Sequence, residues 1–201
     1  MIGWLYDLAG RKIEKGELGE HRHELVSGLE GEVLEVGAGT GFNLPHYEKA
    51  TRVLAVEPDP SMARRLAKRA PEASVPVEIV SGSAESLPFA DASFDTAVVT
   101  FVFCSVEDPG VALAEIRRVL KPGGRLVLLE HVRGEGRLAQ WQDRLTPLHR
   151  RVAGNCHLNR DTQTTVAAAG FDAAGVQSTR LPGSHPLVRS GVQGVAIKTS
   201  S

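Results

Sequence analysis

The residues with the clearest chemical potential are Glu35, Gly37, Gly39 and Gly41 in the stretch V-L-E-V-G-A-G-T-G, Val33 to Gly41. Glu57 joins them at the end of a second apolar run, Val53 to Val56. Glycine at every second position strips side chains from a turn and lets a ligand lie against its backbone. A dinucleotide fingerprint needs glycine at its first, third and sixth positions, with pyrophosphate on a helix N-terminus. The sixth position here is Phe42, which counts against a nicotinamide oxidoreductase. Glu35, two residues before the first glycine, suits a cationic ligand better than a pyrophosphate. Glu57 falls about where doubly wound folds place the acid that holds ribose hydroxyls. Two carboxylates at neighbouring strand ends, around a glycine turn, describe a nucleoside site without phosphates.

These residues need a parallel sheet to hold them. Val33, Leu34 and Val36 suit a buried central strand. Further strands are predicted at Val53–Val56, Val75–Val80, Phe94–Phe103 and Arg125–Val132. Phe171–Thr179 and Gly191–Lys198 form a closing pair joined by the Pro-rich loop Leu181–Ser190. Met1 to Leu29 reads as helical, with breaks at Gly16 and Gly19. Phe42 to Tyr47 is expected to open the first crossover helix, with Pro45 in its first turn. Asp59 or Ser61 caps the next helix. Asp108 with Pro109 starts another, which runs through Leu120 and ends in K-P-G-G, and Asp161 with Thr162 caps one ending near Gly170. One domain over residues 1–201 is expected, with a helical cap at 1–30 and an insertion at 133–160.

Composition narrows the function classes. With 201 residues the chain can bury one sizeable core. Net charge is -1, so no global field recruits nucleic acid. No apolar run approaches the roughly 18 residues of a membrane span, and the N-terminus has no signal-type pattern, so a cytoplasmic protein is the default expectation. Cys104 and Cys156 stand in separate segments outside any metal-ligand spacing, which argues against a zinc site or a disulfide framework. Cys104 is expected as a small buried apolar group. His21 and His23 are expected as solvated helix positions.

Taken together, E-V-G-A-G-T-G, Glu57, G-S-A-E-S-L-P-F (Gly82 to Phe89), F-D-T-A-V-V-T (Phe94 to Thr100) and R-V-L-K-P-G-G-R-L (Arg118 to Leu126) resemble, in order and spacing, the class I S-adenosylmethionine-dependent methyltransferases of the type-11 family. The resemblance implies an α/β, Rossmann-like fold: a seven-stranded, mostly parallel sheet with helices on both faces and an antiparallel C-terminal strand. It implies S-adenosylmethionine as cofactor, held by Glu35, Gly37, Ala38, Gly39 and Gly41, with Asn43 and Leu44 near the methionine end. Glu57, followed by Pro58, takes the ribose, and Met62 either packs on adenine or belongs to the core. On the adenine side the commonest family version has aspartate where Ser83 stands, so Ala84 is expected to act through its backbone N–H, beside Glu85. Thr100, Phe101 and Val102 lie where methyl donor and acceptor meet.

T-F-V-F-C-S-V (Thr100 to Val106), L-E-H-V (Leu129 to Val132) and G-N-C-H-L-N-R-D-T (Gly154 to Thr162) narrow the resemblance further. They are similar to a branch containing bacterial type-11 proteins, some labelled phospholipid N-methyltransferases, and the mammalian thiol S-methyltransferases. The implied acceptor is a small lipophilic molecule, with a thiol favoured. A phospholipid amine or natural-product hydroxyl is the alternative, and a non-catalytic S-adenosylmethionine-binding regulator belongs to a different class. Only a thiolate attacks well, whereas an amine must lose a proton to a base. His131 and His157 are the candidates for either task unless they only hydrogen-bond the backbone, and Arg160 is the candidate anion partner. Tyr6 is a candidate pocket contact. Leu138, Trp141, Leu145, Leu148 and Val152 recur at helical spacing, interrupted near Pro147, with Arg137, Arg144, Arg150 and Arg151 on the polar side. That segment reads as a substrate lid, or as a peripheral membrane contact through 137–152.

Overall fold

The computed structural model describes Glu14 and residues 16–199. Strands β1 (Gly31–Val36), β2 (Ala50–Val56), β3 (Val77–Val80), β4 (Phe94–Thr100), β5 (Leu120–His131), β6 (Phe171–Arg180) and β7 (Ser190–Lys198) form one sheet in the order β3-β2-β1-β4-β5-β7-β6. β7 runs antiparallel to both β5 and β6, and the other pairings are parallel. The helices are α1 (Glu17–Val26), α2 (Pro60–Arg69), α3 (Pro109–Val119), α4 (Gly136–Val152) and α5 (Thr162–Ala168).

Alternation along each strand divides the core. Leu34, Val36, Leu54, Val56, Ala97, Val99, Leu126 and Leu128 share one cluster with Leu113 and Ile116 of α3 and Val166 of α5. Val33, Val53, Ala55, Val98 and Val127 join Val26 of α1 and Leu66 of α2 in another. Because successive side chains point to opposite sides of a strand, these clusters are the two faces of the sheet, and each needs helices to cover it. Aspartates start three of the helices. Asp59 Oδ1 accepts from the amides of Ser61 and Met62, Asp108 Oδ1 from Gly110 and Val111, and Asp161 Oδ1 from Thr164.

Several expectations are corrected. No α-helix separates β1 from β2; the connection holds only a single 3₁₀ turn, Leu44–His46. Leu44 and Tyr47 are fully buried and hook this connection into the core, while the chain must return to Ala50 opposite Gly31. Too little chain remains for a helix and its return. Gly19 lies inside α1 instead of breaking it, and its missing side chain makes room for the Glu14 carbonyl oxygen, which a Cβ there would meet at 2.1 Å. β4 stops at Thr100, short of Phe103. The K-P-G-G turn is drawn into β5, with the register shifting between Phe94 and Thr96 of its partner. α4 continues through Pro147, which is exposed, so water can reach the carbonyl that its missing N–H leaves free. Trp4, Leu5, Tyr6 and Leu8 lie outside the described residues.

The C-terminal strands carry one tight constraint. Gly194 pairs with Leu128 on one side and Val176 on the other at φ 136°, and a Cβ there would fall 2.1 Å from the Gly175 carbonyl oxygen. Gly194→Ala therefore combines an unfavourable backbone conformation with a clash against backbone. A loss of at least about 2 kcal/mol is expected in urea unfolding, and an unchanged midpoint would show that this pairing has room to relax.

Candidate active site

Ligands of open α/β sheets bind beyond the carboxyl ends of the strands, at the point where strand order reverses. Here that point lies between β1 and β4. The glycine turn leaves β1 there, and its glycines do different work. A Cβ on Gly37 would strike Val102 Cγ2 at 2.6 Å, so Gly37 permits close packing against the loop after β4. A Cβ on Gly39 would find only the Gly37 carbonyl oxygen, at 4.0 Å, so the backbone there is open to a ligand. Ala38 is buried beneath the turn. Glu57, at the end of β2, braces this loop: Oε2 accepts from the Gly39 amide and Oε1 from the Asp59 amide, both at 2.8 Å. Burial raises the Glu57 pKa, and the two amides hold it back. Each oxygen keeps lone-pair capacity for a further donor, as a ribose diol requires.

Beneath the loop lies a polar network. Asn43 Nδ2 donates to Glu35 Oε1 at 3.0 Å and to Thr100 Oγ1 at 3.1 Å. Arg22 Nη1 donates to Asn43 Oδ1 at 2.8 Å and Thr100 Oγ1 at 2.9 Å, while its Nε donates to Glu14 at 2.7 Å. Glu35 Oε2 and the neighbouring Tyr47 hydroxyl are both buried and make no hydrogen bond of good geometry among the described residues, which leaves an acceptor that a cationic ligand can use. Burial pushes Glu35 up to about 7, offset in part by the Tyr47 hydroxyl, Arg22 and Asn43. The Leu44 side chain lies in the core, so it can face a ligand only through its backbone. Ser83 Oγ donates to Glu85 Oε2 at 2.9 Å, and Glu85 Oε1 accepts from the Asp108 amide at 2.9 Å. Those two side chains shape the loop before β4. Ala84 is buried, Met62 half-buried and Pro58 exposed.

The loop after β4 has a second brace. Phe101 adopts φ 58°, uncommon for a bulky residue, and its amide donates to the Leu129 carbonyl at 2.9 Å. Glu130 Oε1 then accepts from the Val102 and Phe103 amides at 2.6 and 3.1 Å. These bonds hold a turn that would otherwise relax. Burial pushes Glu130 up to about 8, with Cys104 adding to the rise.

His131, His157 and Arg160, predicted together, all reach this loop. His131 closes β5, and its Nε2 lies 3.2 Å from Cys156 Sγ. Burial opposes its protonation, but Cys104 and Glu130 outweigh that and raise its pKa. The His157 amide donates to the Cys104 carbonyl at 2.7 Å, with ring Nδ1 3.3 Å from the same oxygen. Arg160 donates to the carbonyls of Phe103 and Glu107. Cys104 is buried, as expected, yet it also meets His131 and Cys156. Cys156 beside it, together with burial, pushes the Cys104 thiol up, whereas Cys104 lowers Cys156. Sequence reasoning missed this pairing and the bracing roles of Glu130 and Arg22. Glu130 did leave a signal, as an ionisable residue at the end of the apolar run L-V-L-L. His21, expected in solvent, lies 2.7 Å from Gln193 Oε1 through its Nδ1.

Residues 34–128 match the model of a methyltransferase domain family. The chain is 35% identical to thiol S-methyltransferase TMT1B of Rattus norvegicus over 172 residues, spanning 83% of this chain and 70% of the relative. It is 36% identical to a phosphatidylethanolamine N-methyltransferase of Cereibacter sphaeroides over 117 residues, 57% of this chain and 58% of that one. Among solved structures it is similar to a SAM-dependent methyltransferase from Thermotoga maritima, with 28% identity and a TM-score of 0.69 over 96% of this chain and 93% of the other.

Glu35 makes stability depend on pH. Its folded pKa, about 7, lies above the ordinary 4.5, so the folded protein binds this proton more tightly. The contribution is complete below pH 4.5 and is lost as pH rises through 7. Thermal melts across that window should show wild type falling relative to Glu35→Gln, whose amide oxygen can still accept from Asn43. Parallel profiles would remove Glu35 as the source.

Proposed function

Because the chain belongs to the S-adenosylmethionine-dependent methyltransferases, we propose that its acceptor is a small lipophilic thiol. The observation that carries this reading is the similarity to thiol S-methyltransferase over most of the chain. S-adenosylmethionine supplies a methyl group made electrophilic by its sulfonium. Glu57 would hold the ribose hydroxyls, the Gly39 backbone would give room for close approach, and Glu35 with Asn43 would face the charged methionine end. Ser83, Ala84 and Glu85 would border the adenine, with Met62 against it. Thr100, Phe101 and Val102 would line the place where acceptor and methyl meet.

The protein's main task is then alignment in a dry pocket. A thiol of pKa about 8.5 is mostly protonated at neutral pH, and nearby positive charge favours the thiolate. The Arg160 guanidinium supplies that charge beside the loop after β4. His157 positions the loop through the Cys104 carbonyl. Within a single domain over 1–201, the segment 133–160 would close the acceptor side, while the expected cap at 1–30 lies in part outside the described residues. α4 is docked for that role by Gln142, which accepts from the Gly134 amide at 2.7 Å and donates to the Leu187 carbonyl at 2.8 Å.

A lipid surface is a fitting source of lipophilic acceptors. Trp141, Leu148 and Val152 of α4 are 52%, 62% and 78% exposed, and the Arg144 guanidinium lies 6.0 Å from the Trp141 ring centroid. No helix among the described residues is long and apolar enough to cross a membrane, so contact would be peripheral. The same surface, with the N-methyltransferase relative, is what favours a phospholipid amine as the second reading.

Incubation with S-adenosylmethionine and a panel of thiols, amines and phenols, read by mass spectrometry, tests the acceptor. Methylated thiols with matching S-adenosylhomocysteine are expected, and methylation confined to amines would transfer the case to the second reading. Glu57→Ala should weaken cofactor binding by about tenfold to a hundredfold in calorimetry, the worth of charge-assisted hydrogen bonds; unchanged affinity removes the ribose assignment. Cosedimentation with anionic vesicles should fall when Trp141, Leu148 and Val152 are together changed to Ser, and equal binding would discard the membrane contact.

A further inference from the structure

Cys104, His131 and Cys156 form a cluster that methyl transfer as described does not require. Their ligand atoms all lie within 4.8 Å of one another, with His131 Nε2 3.2 Å from Cys156 Sγ. Neither cysteine is in a disulfide. Cys104 and His131 are 3% and 5% exposed, while Cys156 is half-buried and marks the side from which the cluster is reached. The three residues come from separate segments, each held by its own bonds. His131 ends β5 opposite Gly191, and the Cys104 carbonyl accepts the His157 amide. Cys156 follows α4, its amide donating to the Ala153 carbonyl and its own carbonyl lying 3.0 Å from His149 Nδ1. His131 Nδ1 has no hydrogen-bond partner among the described residues, so the ring's polar contact is made through this cluster.

Two thiolates and an imidazole are a donor set for zinc. Zinc bonds of about 2.3 Å to sulfur and about 2.0 to 2.1 Å to nitrogen place tetrahedral ligands a little under 4 Å apart, a separation between the 3.2 Å of His131 and Cys156 and the 4.8 Å within which the whole cluster lies. Two thiolates neutralise a dication, so the occupied site would bury no net charge. Three protein ligands also leave one coordination position open, the arrangement of reactive zinc sites and not of purely structural ones.

We propose that Cys104, Cys156 and His131 form a zinc site whose fourth position takes the sulfur of the acceptor, an inference that rests on the thiol reading for its last step. A thiol bound there releases its proton to solvent, so the attacking atom is a thiolate. The new carbon–sulfur bond forms from its lone pair as the donor's methyl–sulfur bond breaks, and that electron pair stays on the donor sulfur. The neutral thioether product is a weaker ligand than a thiolate and leaves.

The test is a titration of reduced, chelator-treated protein with cobalt(II), a spectroscopic stand-in for zinc. One equivalent should develop a thiolate-to-cobalt charge-transfer band and tetrahedral ligand-field bands, bleach on adding zinc, and shift when a small thiol is added. Cys104→Ser and Cys156→Ser should each cut the charge-transfer intensity and weaken cobalt binding by at least about tenfold, with circular dichroism confirming the fold. No charge-transfer band in wild type, or a band unchanged in both variants, overturns the site, and the wild-type titration depends on no variant. A spectrum indifferent to thiols, or equal thiol methylation with and without zinc, overturns the fourth-position role while leaving thiol methylation standing. Metal binding without any thiol methylation, with the cofactor bound, sinks the thiol reading and keeps the metal site.

Discussion

The structure depends on carboxyl groups set at strand ends where loop amides have lost their ladder partners. Strands of a parallel sheet stop together, and the loops leaving them carry N–H groups that must find acceptors. Glu57 answers two of them, from Gly39 and Asp59, and Glu130 answers two more, from Val102 and Phe103. Glu35 does the same for the Asn43 side chain. Burial raises the pKa of all three, which is the cost of using them. In return the loops around the site are fixed before any ligand arrives.

That arrangement joins the two sides of the site. Glu57 and Glu130 brace the loops after β1 and β4, and those loops touch each other where Gly37 packs against Val102. Movement of either loop is therefore opposed by the other through this contact. Arg22 strengthens the link: it reaches Asn43 of one loop and Thr100 at the end of β4, and its guanidinium lies 5.4 Å from the Phe101 ring centroid. Alignment of donor and acceptor is then a property of the hydrogen-bonded frame and not of any single lining residue.

Much of this was legible in the sequence where local chemistry decides the structure. Asp59, Asp108 and Asp161 announce helix starts because a carboxylate satisfies amides two and three residues on. The unbroken apolar run Val53 to Val56 marks a strand buried on both faces. Where distant partners decide, the reading failed. Phe42 to Tyr47 looks like a helix opening until Leu44 and Tyr47 are seen to be pulled into the core. Gly19 reads as a breaker, whereas its missing side chain is demanded by the Glu14 carbonyl. Cys104 and Cys156 have no motif spacing, since strand order and the end of α4 bring them together.

α4 shows how a correct periodicity can leave its orientation undetermined. The spacing of Trp141, Leu145, Leu148 and Val152 describes an amphipathic helix, and the usual inference turns the apolar side inward. The inward positions are instead Ala139, Gln142 and Thr146. The reason lies at the dock: beyond the end of β5, the Gly134 amide and the carbonyls of Val132 and Leu187 face the helix and need polar partners. Gln142 supplies both a donor and an acceptor, which an apolar side chain could not do without leaving those groups unsatisfied. Polar contact with the frame thus turns Trp141, Leu148 and Val152 outward. α4 is held to the sheet by hydrogen bonds, and its apolar surface stays exposed.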